Sequence, residues 1–179
     1  WGASGRTGGQ VIPGLKQDPD ELEQLFGREL GARVVAAVGS VGDEVFGLIA
    51  KHGIACDAVR QGWLQPAFSQ RTYALARRRC EEWMRRGADV APLDRARMSE
   101  LIGSDIYLGG WLDRRGGGVQ PLSYVRGLAA VAGRAGAEIH TASPAQRLER
   151  SGNRWRIATP RGEVDAGTVL IGTNGYTDG

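Results

Sequence analysis

The sequence predicts a mixed fold of helices and sheet, of the α/β or α+β class. A helix candidate that starts at Pro121 and ends at Gly136 is followed directly by an extended segment, residues 138–141, which together make half of a β-α-β unit. Three short strand candidates separated by turn sequences come next. Residues 169–171 are then apolar without alternation, as expected for a central parallel strand covered on both faces.

The N-terminal part of the chain is predicted to be helical. Asp18 as N-cap and Pro19 at the first position start one helix. From Leu30 to Ile49 apolar residues recur every three or four positions, which predicts a single amphipathic helix of about six turns. Gly53 is expected to end this helix in a Schellman motif.

Strand and helix signals alternate in the middle of the chain. Residues 63–68 predict a short strand, which a proline restricts to a sheet edge or a bulged position. Ser69 is predicted to cap a helix whose apolar stripe contains Cys80, so we interpret Cys80 as a core residue and not a nucleophile. Asp94 is predicted to cap a further short helix.

Glycines dominate the next segment, residues 107–121, which predicts twisted strands joined by a tight turn at residues 116–118. The helix that follows is expected to turn one stripe inward: Leu122, Val125, Leu128, Ala129 and Ala132. Beyond it, residues 147–149, 155–159 and 163–165 read as a β-meander.

The composition is that of an ordinary soluble domain, with 41% hydrophobic and 24% charged residues. The net charge of +3 comes from interspersed residues, and the densest basic run, residues 77–79, is flanked by Glu81 and Glu82. We interpret that run as a solvated helix face, so a nucleic-acid partner is not expected. No apolar stretch reaches 18 residues, so a membrane partner is not expected either.

The cysteines, Cys56 and Cys80, and the histidines, His52 and His140, have no metal-ligand spacing, so no metal site is predicted. Two isolated cysteines fit a reducing compartment, and we expect a cytoplasmic protein. The sequence identifies no catalytic residue and leaves the oligomeric state open.

Two segments carry candidate binding chemistry. Residues 2–10, G-A-S-G-R-T-G-G-Q, combine backbone N–H groups able to form an anion-binding nest with the Arg6 guanidinium. They suit an anionic, planar ligand, although a flexible end explains the composition equally well. Residues 169–176 lead from a strand into a Gly/Asn turn, where ligands bind in open α/β sheets. An ordinary strand and turn is the favoured interpretation of that segment by itself.

Three motifs, in this order, resemble the glycine oxidase and D-amino-acid oxidase superfamily of flavoproteins, particularly its gamma-glutamylputrescine oxidase-like branch. Residues 2–10 are similar to that branch's G-A-S-G-R-N-G-G-Q, with Thr7 in the usual place of Asn. Residues 117–121, followed by a helix and G-A-E-I, resemble its G-G-x-(H/Q)-P, helix, G-A-x-I stretch. Residues 169–176 are similar to its V-(I/V)-x-A-x-N-A-Y, with glycines replacing two alanines.

The resemblance implies a partial FAD-binding domain of the glutathione-reductase-like fold with part of a substrate domain. Residues 1–55 would supply the flavin-contacting loop and FAD-domain helices, residues 56–118 the substrate-domain portion, and residues 119–179 an FAD-domain helix, the β-meander and the parallel strand. Contacts to the pyrophosphate and flavin ring are expected near the N-terminus, to adenine around residue 145, and to the cofactor again near residue 174. The implied FAD-binding residues are Ala3, Ser4, Arg6, Thr7, Gly8, Gly9, Gln10, Ala145, Gln146, Thr173, Asn174 and Gly175.

The function implied by the resemblance is oxidation of a C–N bond in a small amine or amino acid, with hydride transfer to flavin and reoxidation by dioxygen. The family's opening G-x-G-x-x-G strand is expected before Trp1 and a completing segment after Gly179, so these residues alone are expected to be inactive. The alternative is a self-folding, non-catalytic binding or structural module. A phosphate-binding protein of another kind is disfavoured, because G-x-x-x-x-G-K-(S/T) is absent. Which amine is used stays open.

Overall fold

Helices and strands alternate along the chain in the computed structural model, which describes residues 4–173 and confirms the mixed fold class. These residues form two compact units, residues 4–127 and residues 128–173. After a short 3-10 helix (Ser4–Arg6), the elements are β1 (Gln10–Val11), α1 (Pro19–Phe26), α2 (Arg28–Gly39), α3 (Val41–His52), β2 (Trp63–Ala67), α4 (Gln70–Arg85), β3 (Val90–Asp94), α5 (Arg95–Ile102), β4 (Gly109–Asp113), β5 (Gly117–Gly118), α6 (Pro121–Arg134), β6 (Arg147–Ser151), β7 (Arg154–Thr159) and β8 (Gly162–Ala166). The three-part domain division made from the sequence stays a prediction.

The first unit is built on a three-stranded antiparallel sheet in the order β2-β4-β3. The proline-containing strand β2 lies at its edge, as predicted, and β3 is a strand that the sequence analysis missed. Helix α4 packs on the sheet. Trp111 of β4 is 1% exposed, and its indole N–H donates to the side-chain oxygen of Gln65 on β2 at 2.7 Å. The buried core cluster is Leu22, Val35, Ala76, Cys80, Trp83, Val90 and Trp111.

Local capping signals are confirmed at three helix ends. The Ser69 hydroxyl accepts from the Thr72 backbone N–H at 3.2 Å, and the Asp94 carboxylate accepts from the first turn of α5 at 2.8 Å. Gly53 ends α3 at φ 60°, and the Ile54 N–H donates to a carbonyl one turn earlier, as a Schellman motif requires. Cys80 is buried in the core as interpreted, and burial raises the pKa of its thiol to about 11.

The single helix predicted between Leu30 and Ile49 is wrong, because the chain forms α2 and α3 with a break at Ser40. The break brings glycines of both helices against Arg115. A Cβ on Gly42 would lie 2.2 Å from the Arg115 carbonyl oxygen. The apolar periodicity runs through the break and gives no sign of it, whereas the adjacent Gly39 and Ser40 are a pair at which helices commonly kink.

A buried ion pair joins the end of β4 to the helices around it. Asp113 is fully buried, and its carboxylate accepts from Arg115 through Nε at 2.9 Å, Nη2 at 2.6 Å and the backbone N–H at 3.0 Å. The Arg115 guanidinium also stacks 4.3 Å from the ring centroid of Trp83. The chain therefore turns at residues 114–115, and the turn predicted at 116–118 is wrong, since Gly117 and Gly118 form β5 and pair with β1.

A second set of ion pairs holds α1 against α4. Asp18 has the extended backbone of an N-cap, but its buried carboxylate bonds Arg78, at 3.0 Å, and Arg79 and does not cap the helix. The carboxylate of Glu82 instead accepts from the Asp20 backbone N–H at 3.0 Å.

The basic run at residues 77–79 is thus more than a solvated face. Arg77 is exposed and pairs with Glu81 on its own helix, as expected of a solvated face. Arg79 is only 20% exposed and lies against the buried carboxylate of Asp18, so for this residue the interpretation is wrong. Arg79 therefore links α4 to Asp18 at the start of α1.

The second unit contains the antiparallel sheet β6-β7-β8, which confirms the predicted meander. Residues 138–141 and 169–171 do not form strands, contrary to prediction, and Leu170 is 94% exposed. A strand exists through pairing with a neighbour, and within residues 4–173 no strand pairs with either segment. The inward stripe predicted for α6 is at most half-buried: Val125, Leu128 and Ala132 are half-buried, Leu122 and Ala129 are exposed, and no residue of the helix is buried. No helix among the described residues is long and apolar enough to cross a membrane.

Replacing Arg115 by Ala should lower the free energy of unfolding by about 3 kcal/mol, because the buried Asp113 carboxylate loses its partner. Its neighbour Arg114 provides the matched control, since it pairs with Asp89 at the surface. Arg114→Ala should cost less than about 1 kcal/mol. Urea denaturation followed by tryptophan fluorescence measures both free energies of unfolding. Equal losses in the two variants would contradict the role of Arg115 as partner of a buried carboxylate.

Acid should weaken the α1–α4 contact through Asp20. Partial burial raises the pKa of this carboxyl, but hydrogen bonds from Arg86 and Arg85 outweigh burial and leave the pKa below its usual value. The unfolded chain then binds the proton more readily, so the stabilisation is complete above about pH 5 and is lost as the pH falls through the lowered pKa. Asp20→Asn should reduce the dependence of unfolding free energy on pH below about 4, as measured by urea titrations at several pH values. An unchanged slope would show that Asp20 does not contribute.

Candidate functional site

The glycine-rich loop at residues 4–10 is an ordered turn in the first unit. After the 3-10 helix Ser4–Arg6, the Thr7 hydroxyl accepts from the Gly9 backbone N–H at 3.3 Å. Asn, Asp, Ser and Thr side chains all form this bond to the backbone two residues on. Thr7 therefore makes the local turn bond that Asn can make at the same position.

Gly9 fixes this loop against the start of α6. It is buried with φ 70°, and a Cβ there would lie 2.0 Å from the Val119 carbonyl oxygen. Its own carbonyl accepts from the Val119 N–H at 2.8 Å, and Gln10 pairs with Gly118 in the β1–β5 ladder. The structure thus brings the first and second sequence motifs together, although more than 100 residues separate them along the chain.

Residues 56–59 complete this arrangement from the other side. Val59 and Gly118 exchange backbone hydrogen bonds of 2.9 and 2.8 Å, and the Gln120 N–H donates to the Cys56 carbonyl at 2.7 Å. The Gln120 side-chain oxygen accepts from the Ser123 N–H at 2.6 Å, which caps α6. Cys56 is buried, and burial together with Asp57 raises the pKa of its thiol. Sequence reasoning missed Cys56, Val59 and the cap.

The open side of the loop offers polar groups. Ser4, Arg6, Thr7, Gly8 and Gln10 are exposed, and a Cβ on Gly8 would meet nothing within 4 Å. The two adjacent glycines differ, because Gly9 faces protein and Gly8 faces open space. A guanidinium, hydroxyls and an accessible backbone are donors suited to a diphosphate, so these residues fit the anionic part of a dinucleotide.

The other predicted contact residues belong to the second unit. The Gln146 N–H donates to the Ala158 carbonyl at 2.8 Å, next to the β6–β7 ladder. Ala145 lines a cleft of about 550 Å³ with Ile157 and Arg161 among its other walls. Thr173 is the last described residue, and Ala3, Asn174 and Gly175 lie outside the described residues. Ser4 to Gln10 thus belong to one unit and Ala145, Gln146 and Thr173 to the other, and all their cofactor roles stay predictions.

No candidate metal site accompanies this loop. Within residues 4–173, no group of three or more His, Cys, Asp or Glu side chains is placed to hold a metal ion. On α6, burial and the Cys56 thiol raise the pKa of the Tyr124 hydroxyl, whereas Arg6 and Asp57 are exposed.

Gly9→Ala should destabilise the first unit by at least about 2 kcal/mol, because it combines a positive φ with a clash against backbone. Gly8→Ala is the matched control, and it should change the unfolding free energy by less than about 0.5 kcal/mol, since the site is open. Thermal and urea denaturation measure both. Equal tolerance of the two substitutions would exclude the packed position of Gly9.

Related proteins place the chain in a family. It matches the family described as FAD dependent oxidoreductase, DAO, over residues 1–178. It is 28% identical over 177 residues to gamma-glutamylputrescine oxidoreductase of Escherichia coli, and 29% identical over 180 residues to the probable oxidoreductase OrdL of Haemophilus influenzae. These alignments cover 98% and 99% of this chain but 41% and 42% of the relatives. The chain thus spans about two fifths of the length of these relatives.

Solved structures agree on the fold. Glycine oxidase from Geobacillus kaustophilus superposes with a TM-score of 0.72 at 18% identity, covering 96% of this chain and 45% of that one. L-proline dehydrogenase from P. horikoshii gives a TM-score of 0.66 at 15% identity, with coverages of 93% and 41%. These likenesses confirm the predicted partial FAD-binding fold, and the family match confirms the resemblance seen in the motifs. The chain belongs to the DAO family of FAD dependent oxidoreductases.

Proposed function

We propose that the protein oxidises a carbon–nitrogen bond of a small amine or amino acid with FAD as its cofactor. The observation that carries the proposal is the loop at residues 4–10, in which one glycine packs on protein while exposed donors and a second glycine remain accessible. Because the chain belongs to an FAD dependent family, we infer that the ligand of this loop is FAD.

The relatives suggest the substrate class. Their names refer to a glutamylated putrescine, glycine and proline, and each of these carries a C–H bond on a carbon bonded to nitrogen. An amine or amino acid is what these substrates share.

The chemistry divides between cofactor and protein. When bound, FAD would supply the two-electron chemistry: it would take up the hydride of the carbon bearing nitrogen while the nitrogen loses a proton, and the two electrons would leave with two protons to dioxygen as hydrogen peroxide. Water then hydrolyses the resulting imine to a carbonyl compound and a released amine or ammonia. The protein's part is to bind and orient cofactor and substrate.

In this proposal Ser4, Arg6 and Thr7 donate hydrogen bonds to the pyrophosphate or the flavin ring. Gly8 lets the cofactor approach the backbone, while Gly9 and Gln10 hold the loop on β5.

Further cofactor contacts are proposed for residues of the second unit. Ala145 and Gln146 contact adenine through their backbone, and Thr173 lies near the cofactor together with Asn174 and Gly175. The ladder bond from the Gln146 N–H to Ala158 supports a fixed backbone at this point.

A cytoplasmic location forms part of the proposal. Cys56 and Cys80 are both buried and both free thiols, which is the usual state of cysteines in a reducing compartment.

The test uses the protein expressed from its complete gene. Its visible absorbance should show flavin bands, or gain them with added FAD, and anaerobic addition of an amine substrate should bleach them. Readmitted air should restore the bands and release hydrogen peroxide. A folded protein that neither contains nor takes up flavin would refute the proposal and favour a non-catalytic binding module. If the substrate bleaches the flavin bands but air does not restore them, dioxygen is not the electron acceptor, and the proposal of amine oxidation still holds.

Arg6→Ala should weaken FAD binding by roughly ten- to a hundredfold, the equivalent of one lost hydrogen bond to a charged group. Arg33→Ala, at an exposed position on α2, is the control and should bind FAD as the unmodified protein does. Titration of the apoprotein with FAD, followed by flavin fluorescence, gives both dissociation constants. Equal affinities would remove Arg6 from the proposed site.

A further inference from the structure

The residue that starts α6 is unusual for its position. N-caps are normally Ser, Thr, Asp or Asn, whose short side chains reach the helix N–H groups, whereas here the longer Gln120 does so. Its side-chain oxygen accepts from the Ser123 N–H at 2.6 Å, and Pro121 occupies the first helical position. Gln120 is itself exposed, so hydrophobic burial does not account for its place.

Gln120 and the preceding Val119 connect three segments. Through its backbone N–H, Gln120 is bound to the Cys56 carbonyl at 2.7 Å, and the preceding Val119 is bound to the Gly9 carbonyl at 2.8 Å. Its side chain holds the first turn of α6. Gln120 thus bonds residues 56–59 and the helix start, and the adjacent Val119 bonds the glycine-rich loop.

The loop has little freedom relative to that stretch. A Cβ on Gly5 would lie 3.0 Å from Leu122 Cδ1, and one on Gly9 would lie 2.0 Å from the Val119 oxygen and 3.2 Å from Pro121 Cδ. A displacement of residues 119–122 must therefore move residues 5–9 with it, because close-packed groups cannot absorb the shift between them.

We propose that Gln120 is a positioning residue for the cofactor: by capping α6 it fixes the backbone of residues 119–122, and these set where the loop meets FAD. The inference rests on the proposed function, since it assumes that the loop binds FAD. Gln120 acts through residues 119–122 and the loop and need not touch the cofactor itself.

The experiment compares two lost helix caps in the protein expressed from its complete gene. Gln120→Leu removes the acceptor and keeps the size of the side chain, and Gln120→Glu retains an acceptor. Ser69→Ala is the matched control, because it removes the cap of α4, which packs on the sheet β2-β4-β3. Gln120→Ala provides a second loss variant without an added surface leucine. The measurements are the thermal midpoint, the FAD dissociation constant, the flavin reduction potential and the visible spectrum, at a temperature where every variant is folded.

Losing the cap at Gln120 should raise the FAD dissociation constant roughly fivefold, the equivalent of one helix cap, and should shift the flavin spectrum and potential. Gln120→Glu should restore the thermal midpoint and the visible spectrum, and the potential is compared only among the uncharged variants, because the added carboxylate acts on it directly. Ser69→Ala should lower the thermal midpoint by a similar amount while leaving FAD affinity, spectrum and potential unchanged.

The inference is overturned if both Gln120→Leu and Gln120→Ala bind FAD with unchanged affinity and spectrum, or if Ser69→Ala alters them equally. Either result leaves the proposed function standing, because the unmodified protein still binds flavin in that experiment. An unmodified protein without flavin would overturn both.

Discussion

The buried pair between Asp113 and Arg115 is the constraint on which the rest of the first unit depends. A carboxylate without solvent needs its partner, so the chain leaving β4 must turn back at once to bring the guanidinium onto it. The same guanidinium covers Trp83 and donates to the Gly39 carbonyl at the end of α2, at 3.4 Å. After this turn, Gly116 is bonded to Gly62 and Gly117 enters β5. The Asp113–Arg115 pair thereby fixes where β5 begins, and the pairing of β5 with β1 places the glycine-rich loop.

The candidate site is built by residues distant from the loop that carries its chemistry. Inside the loop, the bond from the Gly9 N–H to Thr7 shapes a turn, but its placement comes from Val119 and Gly118 on one side and Val59 behind them. This division suits a binding loop, whose polar groups must face the ligand and cannot also hold the loop in place. Rigid elements supply the position and the loop supplies the donors.

Features of the fold that depend on neighbouring residues were predicted from the sequence, whereas features that depend on residues distant along the chain were not. The caps at Ser69 and Asp94 and the Schellman end at Gly53 depend on a few neighbouring residues, so the sequence was sufficient there. Asp18 also has the sequence signature of an N-cap, but its carboxylate accepts hydrogen bonds from Arg78 and Arg79, some sixty residues away. The helix break at Ser40 lies where Gly39 and Gly42 contact Arg115, a distant contact that apolar periodicity does not reveal. Among the site residues, the loop was identified by its motif, whereas Val59 shows no local pattern that points to Gly118.

The meander has a consequence for the behaviour of the protein at high concentration. Both of its outer strands are exposed along their length, which ordinarily invites another chain to add a strand. These strands instead carry Arg147, Glu149 and Arg150 on one edge and Glu163 and Asp165 on the other. Charged side chains on sheet edges oppose such addition, because pairing would bury or juxtapose them. The arginines and carboxylates that pair within the small sheet thus also act as its protection against aggregation.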